Sequence, residues 1–304
     1  GNMKLILLPT DLKPESDSVW QYVLPIAKAA QANIHCIHAV DDLFVQEERD
    51  HEGEEGVDKI TVDLIYKMRA DADKGMARLI EKIQETCAAH QIPVQVTGQV
   101  ENGVAEDVIL QTAAAMQPQL IAMGAHDHSK LDRLIFGSIT QSVIRKAHAA
   151  VLAVPMQYTF KPIQEILYMS DLDQEDAFAA GKLINLFGDF PMHLHITHFN
   201  LDDQPKDAAL YAIGDAVRTQ YAQVPITFEV IDARILRDAY KQYIDMKKID
   251  LIALTTRKHQ GVSRFLHQST AVDVLYHSKL PVLIFHKPET IGAGTPYDRF
   301  CRHL

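Results

Sequence analysis

Two short glycine-containing segments carry the residue types best suited to holding an anion. Residues 123–127 read Met-Gly-Ala-His-Asp, and nine residues later 137–140 read Gly-Ser-Ile-Thr at the predicted start of a helix. Glycine lets backbone N–H groups approach an anion closely, and a Gly-Ser helix start offers free N–H groups and a hydroxyl. Glycines that only form turns would have the same spacing. Phosphate binding is therefore one of two interpretations of these segments.

Histidine is frequent, with 15 residues in the chain, which raises the question of a metal site. His35 and His38 are three apart on a predicted strand, so their side chains point to opposite faces of the sheet. His193 and His195 share a face, but neither they nor the two histidines of 126–128 have an adjacent carboxylate or cysteine at ligand spacing, and no H-E-x-x-H occurs. We therefore predict no metal ligands.

No arrangement of residues typical of a catalytic nucleophile occurs. The G-x-S-x-G and G-x-x-x-x-G-K-[ST] patterns are both missing, and Gly181-Lys182 lacks the upstream glycine and the following hydroxyl of the second. We therefore predict no catalytic residues and a protein that is not a metabolic enzyme.

The elements that would position these segments occur twice. Asp11 ends an apolar run that recurs at Asp171, and the offset of 160 (171 − 11) also relates His38 to His198. Later apolar runs recur with an offset of 131 (255 − 124). These runs are 120–124 and 150–154 in the first copy and 251–255 and 281–285 in the second. The sequence predicts a tandem duplication whose second copy lacks 29 residues (160 − 131) between its second and third strands.

Within each copy, short apolar runs alternate with segments of helical period. Val19, Val23, Ile26 and Ala30 recur at intervals of three and four residues, which predicts one face of a helix. Buried strands separated by such helices favour a parallel sheet covered on both faces. We expect an α/β chain of two tandem, doubly wound, five-stranded parallel-sheet domains, with ligands at the carboxyl ends of the strands.

The chain is acidic, with a net charge of −10, which argues against nucleic acid or an anionic membrane as its main partner. Residues 41–58 hold nine acidic residues and one arginine, a net charge of −8, so the rest of the chain is nearly neutral. Three widely spaced cysteines predict reduced thiols and a cytoplasmic protein. No apolar run reaches the roughly 18–20 residues that span a bilayer, and no secretion signal is recognisable.

Several motifs together resemble the universal stress protein family. One strand ends in Pro-Thr-Asp at 9–11, a second in His-Ala-Val-Asp at 38–41, and Met-Gly-x-His is followed ten residues later by Gly-Ser-x-Thr. The resemblance covers both copies, and it implies an adenine nucleotide alpha hydrolase-like fold and a regulatory, stress-response role. In the ATP-binding branch, the corresponding residues hold the adenosine, ribose and phosphates of ATP or a related adenine nucleotide. They are Pro9, Thr10, Asp11, Val40, Met123, Gly124, His126, Asp127, Gly137, Ser138, Ile139 and Thr140.

This sequence departs from the family pattern at one position of the first copy and at several of the second. Asp127 stands where the ATP-binding branch has its second glycine, and a carboxylate beside phosphates could cost ~1–3 kcal/mol unless Mg²⁺ bridges them. In the second copy, residues 255–259 replace the glycine loop and Gln268-Ser269 replaces Gly-Ser. We therefore expect the second copy to be a non-binding or altered partner of the first.

The repeat also predicts the domain organisation. We expect a first domain at 3–156 with an acidic insert at 41–58, a second at 163–288, and a C-terminal tail at 289–304. The family commonly pairs domains through its fifth strands. This implies an intrachain pseudo-dimer in which 150–154 and 281–285 are adjacent. Pairing of two such chains as a homodimer is a further possibility. The alternative to nucleotide-dependent regulation is a nucleotide-free scaffold of the same fold that binds only other proteins.

Overall fold

The computed structural model describes residues 4–41, 59–128, 133–135, 137–156, 158–257 and 279–287. At 126–128, 133–135, 257 and 287 the backbone alone is described. Most of the acidic insert, from residue 42 to 58, and the predicted tail at 289–304 lie outside these ranges. So do Lys258, His259 and the Gln268-Ser269 pair of the second copy.

The first copy alternates strands and helices, with one short extra strand. Its elements are β1 (Lys4–Pro9), α1 (Asp17–Ala30), β2 (Ala32–Val40), α2 (Lys59–Ala89), β3 (Val96–Asn102), α3 (Ala105–Met116), β4 (Leu120–His128), β5 (Arg133–Ile135), α4 (Ser138–Lys146) and β6 (Ala150–Pro155). A single 3₁₀ turn, Pro14–Ser16, precedes α1.

The second copy repeats this order over its described residues, which include no counterparts of β5 and α4. Its elements are β7 (Glu165–Met169), α5 (Glu175–Phe187), β8 (His193–Asn200), α6 (Asp207–Gln220), β9 (Ile226–Asp232), α7 (Leu236–Lys247), β10 (Leu251–Arg257) and β11 (Val282–Lys287). The prediction of an α/β chain built from two such units is confirmed.

All the strands except β5, which pairs only with β4, follow one another across a continuous sheet in the order β3-β2-β1-β4-β6-β11-β10-β7-β8-β9. Within each copy the five main strands are parallel. The copies meet where β6 pairs with β11 in antiparallel register, with Leu152 opposite Leu283. Because this pair is antiparallel, the carboxyl ends of the strands of the two copies lie at opposite edges of the sheet.

Apolar side chains cover both faces of the sheet, as continuous apolar strands require. One buried cluster packs α1, α2, α5 and α6 against alternate strand residues such as Ile6 and Leu8. The other packs α3, α4 and α7 against the residues between them, such as Leu7. Each cluster contains residues from both copies, so the two copies share their cores.

The region between the second and third strands differs most between the copies. α2 has 31 residues, whereas α6 at the corresponding place has 14. In the paired registers Ile34 is opposite Val96 and Leu194 is opposite Ile226, which gives the third strands an offset of 130 (226 − 96). Counted at the third strands, the second copy therefore lacks 30 residues (160 − 130) rather than 29. It has one residue more than the first copy between the third and fourth strands, which gives the offset of 131 there.

Helix α2 is buried only in its second half, although apolar residues recur at helical spacing along its whole length. Met76, Leu79 and Ile83 are buried, whereas Ile60 and Leu64 near the start of the helix are 74% and 53% exposed. The apolar residues in the first half of α2 are therefore exposed in the described part of the chain. Among the described helices, none is long and apolar enough to cross a bilayer.

Cys36 and Cys87 are free thiols buried beneath the helices. Burial raises the pKa of Cys36 to about 12 and also raises the pKa of Cys87, because the apolar surroundings disfavour the thiolate. The thiolate is the reactive form. In a Cys301→Ser variant we expect Ellman's reagent at mildly alkaline pH to modify neither thiol in the native protein and both after denaturation. Rapid modification of the native protein would contradict this burial.

Candidate functional site

A cavity of about 410 Å³ opens at the carboxyl ends of β1, β2 and β4 and at the start of α4. This volume is typical of a site for a small organic ligand. Nine of the twelve residues predicted for the nucleotide site line it. These are Pro9, Thr10, Asp11, Met123, Gly124, Gly137, Ser138, Ile139 and Thr140.

The turn after β1 holds Asp11 in a defined position. The Thr10 N–H donates to the Ile37 carbonyl at 2.9 Å, and the Leu12 N–H donates to Thr10 Oγ1 at 3.0 Å. Leu12 has a φ of 61°, a left-handed conformation that is costly for leucine and often occurs at functional sites. Asp11 Oδ1 accepts the Lys13 N–H at 2.9 Å and the Ser16 hydroxyl at 2.6 Å. The Asp11 carboxylate is therefore anchored before any ligand arrives.

His38 also lines the cavity and was not among the predicted site residues. Its Nδ1 lies 2.7 Å from the Thr10 carbonyl oxygen, which can only accept, so Nδ1 carries the proton. The second copy repeats this contact, with His198 Nδ1 donating to the Ser170 carbonyl at 2.8 Å. The signal was present in the sequence, because the two histidines are in register between the copies.

The start of α4 contributes backbone N–H groups to the same cavity. Gly137 is the N-cap, and no side chain caps the helix. The Gln141 N–H donates to the Gly137 carbonyl, so the N–H groups of Ser138, Ile139 and Thr140 have no partner within the helix. The first turn contains no acidic residue to compete for them. An anion would be favoured here by these donors and by the helix dipole.

The segment after β4 was expected to be a loop, and that expectation is wrong. β4 continues to His128 and forms an antiparallel hairpin with β5, with His126 opposite Ile135 and Asp127 opposite Leu134. The side chains of His126 and Asp127 lie outside the described residues. Gly124 is inside the strand, and a Cβ there would lie 2.9 Å from Met156 Sδ. A glycine is therefore needed at position 124 because Met156 approaches closely, not because the chain turns there.

Val40 is the one predicted site residue, among those whose side chains are described, that does not line the cavity. It is buried, and its carbonyl accepts the Gly103 N–H at 2.9 Å at the end of the pairing between β2 and β3. The same strand lines the cavity instead through Ile37, His38 and Ala39.

The described lining of the cavity carries two carboxylates but no lysine or arginine. The two carboxylates belong to Asp11 and Asp17. Asp17 accepts from the Trp20 indole N–H at 3.0 Å and pairs with Lys82 at 2.7 Å. A phosphate group would therefore meet backbone N–H groups at α4 rather than a cationic side chain.

In the second copy, two larger side chains fill the corresponding place. By the offset of 160, Tyr168 replaces Leu8 and Asp176 replaces Ser16, and both replacements are fully buried. Asp176 accepts the Tyr168 hydroxyl at 2.8 Å, the Ser170 hydroxyl at 2.7 Å and the Asp173 N–H at 3.3 Å. Burial raises the pKa of Tyr168, which keeps its hydroxyl protonated as the donor. Tyr168 and Asp176 therefore form a buried hydrogen-bonded pair at positions that line the open cavity in the first copy.

A second cavity, of about 850 Å³, opens between the copies at the amino ends of the first copy's strands. Five basic residues contribute to its lining, namely Lys4, Lys146, His148, Lys182 and His286. None of the twelve predicted site residues lines this cavity. The predicted nucleotide site is thus confined to the opposite edge of the first copy.

Sequence spacing failed to reveal a carboxylate beside His193 and His195. The two rings share a face as predicted, with centroids 4.0 Å apart. Glu165 lies beside them, because β7 and β8 are parallel and Glu165 is opposite His193. The statement that no carboxylate accompanies this pair is therefore wrong. No spacing along the chain could have found it, since 28 residues (193 − 165) separate the two positions.

The fold and the cavity define a doubly wound α/β protein with a ligand cavity at the carboxyl edge of a parallel sheet. Residues 3–155 and 164–286 each match the family described as the universal stress protein family. The chain therefore belongs to the universal stress protein family, as a tandem member with two copies of its domain.

Individual relatives agree with this assignment. A universal stress protein of Methanocaldococcus jannaschii is 26% identical over 152 residues, which cover 50% of this chain and 81% of the relative. Universal stress protein A homolog 1 of Coxiella burnetii is 27% identical over 154 residues, covering 51% of this chain and 97% of the relative. Each single-domain relative thus matches about half of the chain.

A solved structure shows the same fold over nearly the whole chain. The crystal structure of a universal stress protein from Archaeoglobus fulgidus covers 95% of this chain and 100% of that one, with a TM-score of 0.73 at 17% identity. At this identity the likeness concerns the fold alone.

Proposed function

We propose that the first copy binds an adenine nucleotide of the ATP class as a regulatory ligand. The observation that carries the proposal is the convergence of nine predicted residues, from three separate parts of the chain, on one cavity of about 410 Å³. Asp11, anchored by Lys13 and Ser16, is placed to accept hydrogen bonds from the ribose or adenine. The N-terminus of α4 is placed to receive phosphate oxygens.

The charge of the described lining makes a divalent cation part of this proposal. With the Asp11 carboxylate at the cavity, Asp17 already paired with Lys82, and no lysine or arginine among the described lining residues, a polyphosphate would meet like charge at Asp11. Mg²⁺ bridging the phosphates would reduce this repulsion. We infer a regulatory protein of the cytoplasm in which nucleotide occupancy of the first copy changes partner binding, with slow ATP turnover or none.

The test is calorimetry of the full chain with ATP, in the presence and absence of Mg²⁺, together with mass spectrometry of any ligand released from the purified protein. We expect one nucleotide per chain and tighter binding with Mg²⁺. Absence of binding at millimolar ATP would overturn the proposal and favour the nucleotide-free scaffold. Rapid phosphate release on incubation with ATP would instead contradict the regulatory, non-metabolic part.

Replacing Asp127 with glycine restores the residue of the ATP-binding branch. We expect affinity for ATP to rise about 10- to 100-fold, because a like charge is removed and the backbone can approach the phosphates. Calorimetry of Asp127→Gly and Asp127→Asn separates the two causes, since Asn removes the charge but keeps a side chain. Unchanged affinity in both variants would show that this position is not near the ligand.

The partner proposed within the chain is the other copy. β6 and β11 pair with each other, and each also has a parallel neighbour on its other side. We propose that this intrachain pseudo-dimer takes the place of the pairing between separate chains. A homodimer would then require a different surface. Sedimentation equilibrium distinguishes the 34.1 kDa chain from twice that mass.

A further inference from the structure

A cluster of one carboxylate and two imidazoles lies where the first strands of the second copy begin. Glu165 is the first residue of β7, and His193 is the first of β8. Glu165 is opposite His193 and Leu167 is opposite His195 in the parallel register. Because residues two apart on a strand share a face, all three side chains emerge on the same side of the sheet.

The potential ligand atoms of this cluster converge. Glu165 Oε2 lies 2.5 Å from His195 Nε2 and 3.5 Å from His193 Nδ1. One ligand atom from each of the three residues falls within 4.8 Å of the others. Ligand atoms of a tetrahedral Zn²⁺, each about 2.0–2.2 Å from the ion, lie roughly 3.3–3.6 Å apart. The wider contact already has this separation, and the shorter one must open by roughly 1 Å.

The surroundings hold the rings in a ligating orientation. His193 Nε2 lies 2.5 Å from Thr227 Oγ1, and with its N–H donated there the lone pair remains on Nδ1, facing Glu165. Metal-binding histidines are typically oriented by such a second hydrogen bond.

Without a metal ion, the hydrogen bonding of the cluster is incomplete. One proton can occupy the 2.5 Å contact between His195 and Glu165, but the 3.5 Å contact of His193 is then long for a hydrogen bond. The His195 side chain is only 4% exposed, so water has little access to Nε2, the nitrogen that faces Glu165. The nearby Lys247 ammonium is 3.4 Å from Glu229 rather than paired with Glu165.

The first copy provides a comparison within the same chain. At the positions of Glu165 and His193 it has Leu5 and Asn33. His35, which corresponds to His195, turns instead toward β3, with Nδ1 2.7 Å from Thr97 Oγ1 and Nε2 3.3 Å from Gln99 Oε1. The three-residue cluster is therefore specific to the second copy and is not a requirement of the fold.

We propose that Glu165, His193 and His195 form a Zn²⁺-binding site in the second copy. Two imidazole nitrogens and one carboxylate oxygen are a recognised donor set for zinc, with a water molecule completing the tetrahedron. Glu165 and His193 have side chains about one-third exposed, which leaves room for that water and a route of entry for the ion. The bound ion would join β7 to β8 and stabilise the folded chain by mass action.

The test uses the full chain, stripped of metal by chelation and dialysis, with Zn²⁺ alone as the probe. We expect one Zn²⁺ per chain in competition with a zinc-sensitive dye, and a rise in Tm on adding Zn²⁺. The variant Glu165→Leu/His193→Asn, which carries the first-copy residues, should lose at least tenfold in affinity and the Tm response. His90→Gln, which changes an exposed histidine elsewhere, should keep both.

Two further measurements keep the outcome decisive. If the double variant does not fold, Glu165→Gln preserves the shape of the side chain and should still weaken binding. Co²⁺ in place of Zn²⁺ should give the visible absorption of a tetrahedral ion in the parent chain and not in the variant. The absence of a stoichiometric Zn²⁺ site in the parent chain, or equal affinity in parent and variants, would overturn the proposal.

Discussion

Replacing Gly137 with glutamine is expected to reduce ATP affinity more than 100-fold while leaving the Tm unchanged or slightly higher. Glutamine is the residue that the second copy carries at the corresponding position, Gln268. Gly137 has φ −59° and ψ 159°, which any residue adopts without strain. A Cβ at this position would meet no atom within 4 Å. The fold therefore tolerates the change, and fewer conformations of the unfolded chain slightly favour folding.

The expected loss of binding has a specific cause. Gly137 lines the cavity as the N-cap of α4, next to the N–H groups of Ser138 and Ile139, which have no partner within the helix. A glutamine side chain would occupy the space through which a phosphate approaches these donors, and its carboxamide would compete for them. A loss of more than 100-fold corresponds to over about 2.7 kcal/mol of binding free energy.

Calorimetry with Mg²⁺-ATP and thermal denaturation measure the two sides of this prediction. Gly137→Ala is the matched control, because it adds a methyl group without a polar end and should reduce affinity much less. If the parent chain binds ATP and Gly137→Gln binds it equally well, the phosphates do not lie at α4. A large fall in Tm would instead show that this glycine is needed for folding.

The duplication made the fold predictable from the sequence. A single chain contained two versions of each strand, and the constant offset of 160 aligned β1 with β7 and β2 with β8 without any outside information. Helical spacing predicted the buried face of α1, and Val19, Val23 and Ile26 are all buried as predicted. Parallel strands with crossover helices then determined which ends of the strands could hold a ligand.

Much of the candidate site was predictable for the same reason. Thr10 follows β1, Gly124 lies within β4 and Gly137 begins α4 as its N-cap, and the order of these elements was known from the pattern. The two glycines, however, have different physical roles that spacing does not distinguish. Gly124 makes room for Met156 inside a strand, whereas Gly137 leaves open space at a helix start.

The features that were missed depend on contacts between strands. Glu165 joins His193 and His195 only through the parallel register of β7 and β8. The extension of β4 depends on pairing with β5, which has only three residues and no apolar period of its own. His38 was overlooked although its counterpart His198 makes the same bond to the preceding turn. Comparing the copies position by position would have found His38 but not the hairpin.

The largest expected effect on stability comes from changing Asp176, which with Tyr168 stands where the first copy has Ser16 and Leu8. Replacing Asp176 with alanine is expected to destabilise the protein by about 3–5 kcal/mol, because the buried hydroxyls of Tyr168 and Ser170 and the partly buried Asp173 N–H lose their acceptor. Urea unfolding followed by circular dichroism measures this loss. Asp245→Ala, an exposed aspartate on α7, is the matched control and should stay within about 0.5 kcal/mol of the parent.

The double variant Tyr168→Leu/Asp176→Ser tests why the second copy differs from the first. It removes the buried hydroxyl together with its acceptor, and so leaves fewer donors unsatisfied than Asp176→Ala alone. We expect it to be more stable than the single variant, which means strongly non-additive effects of the two changes. Additive losses would show that Tyr168 and Asp176 contribute independently. A non-additive result would mean that Tyr168 and Asp176 act as one hydrogen-bonded pair, at the positions where the first copy has Leu8 and Ser16 lining its cavity.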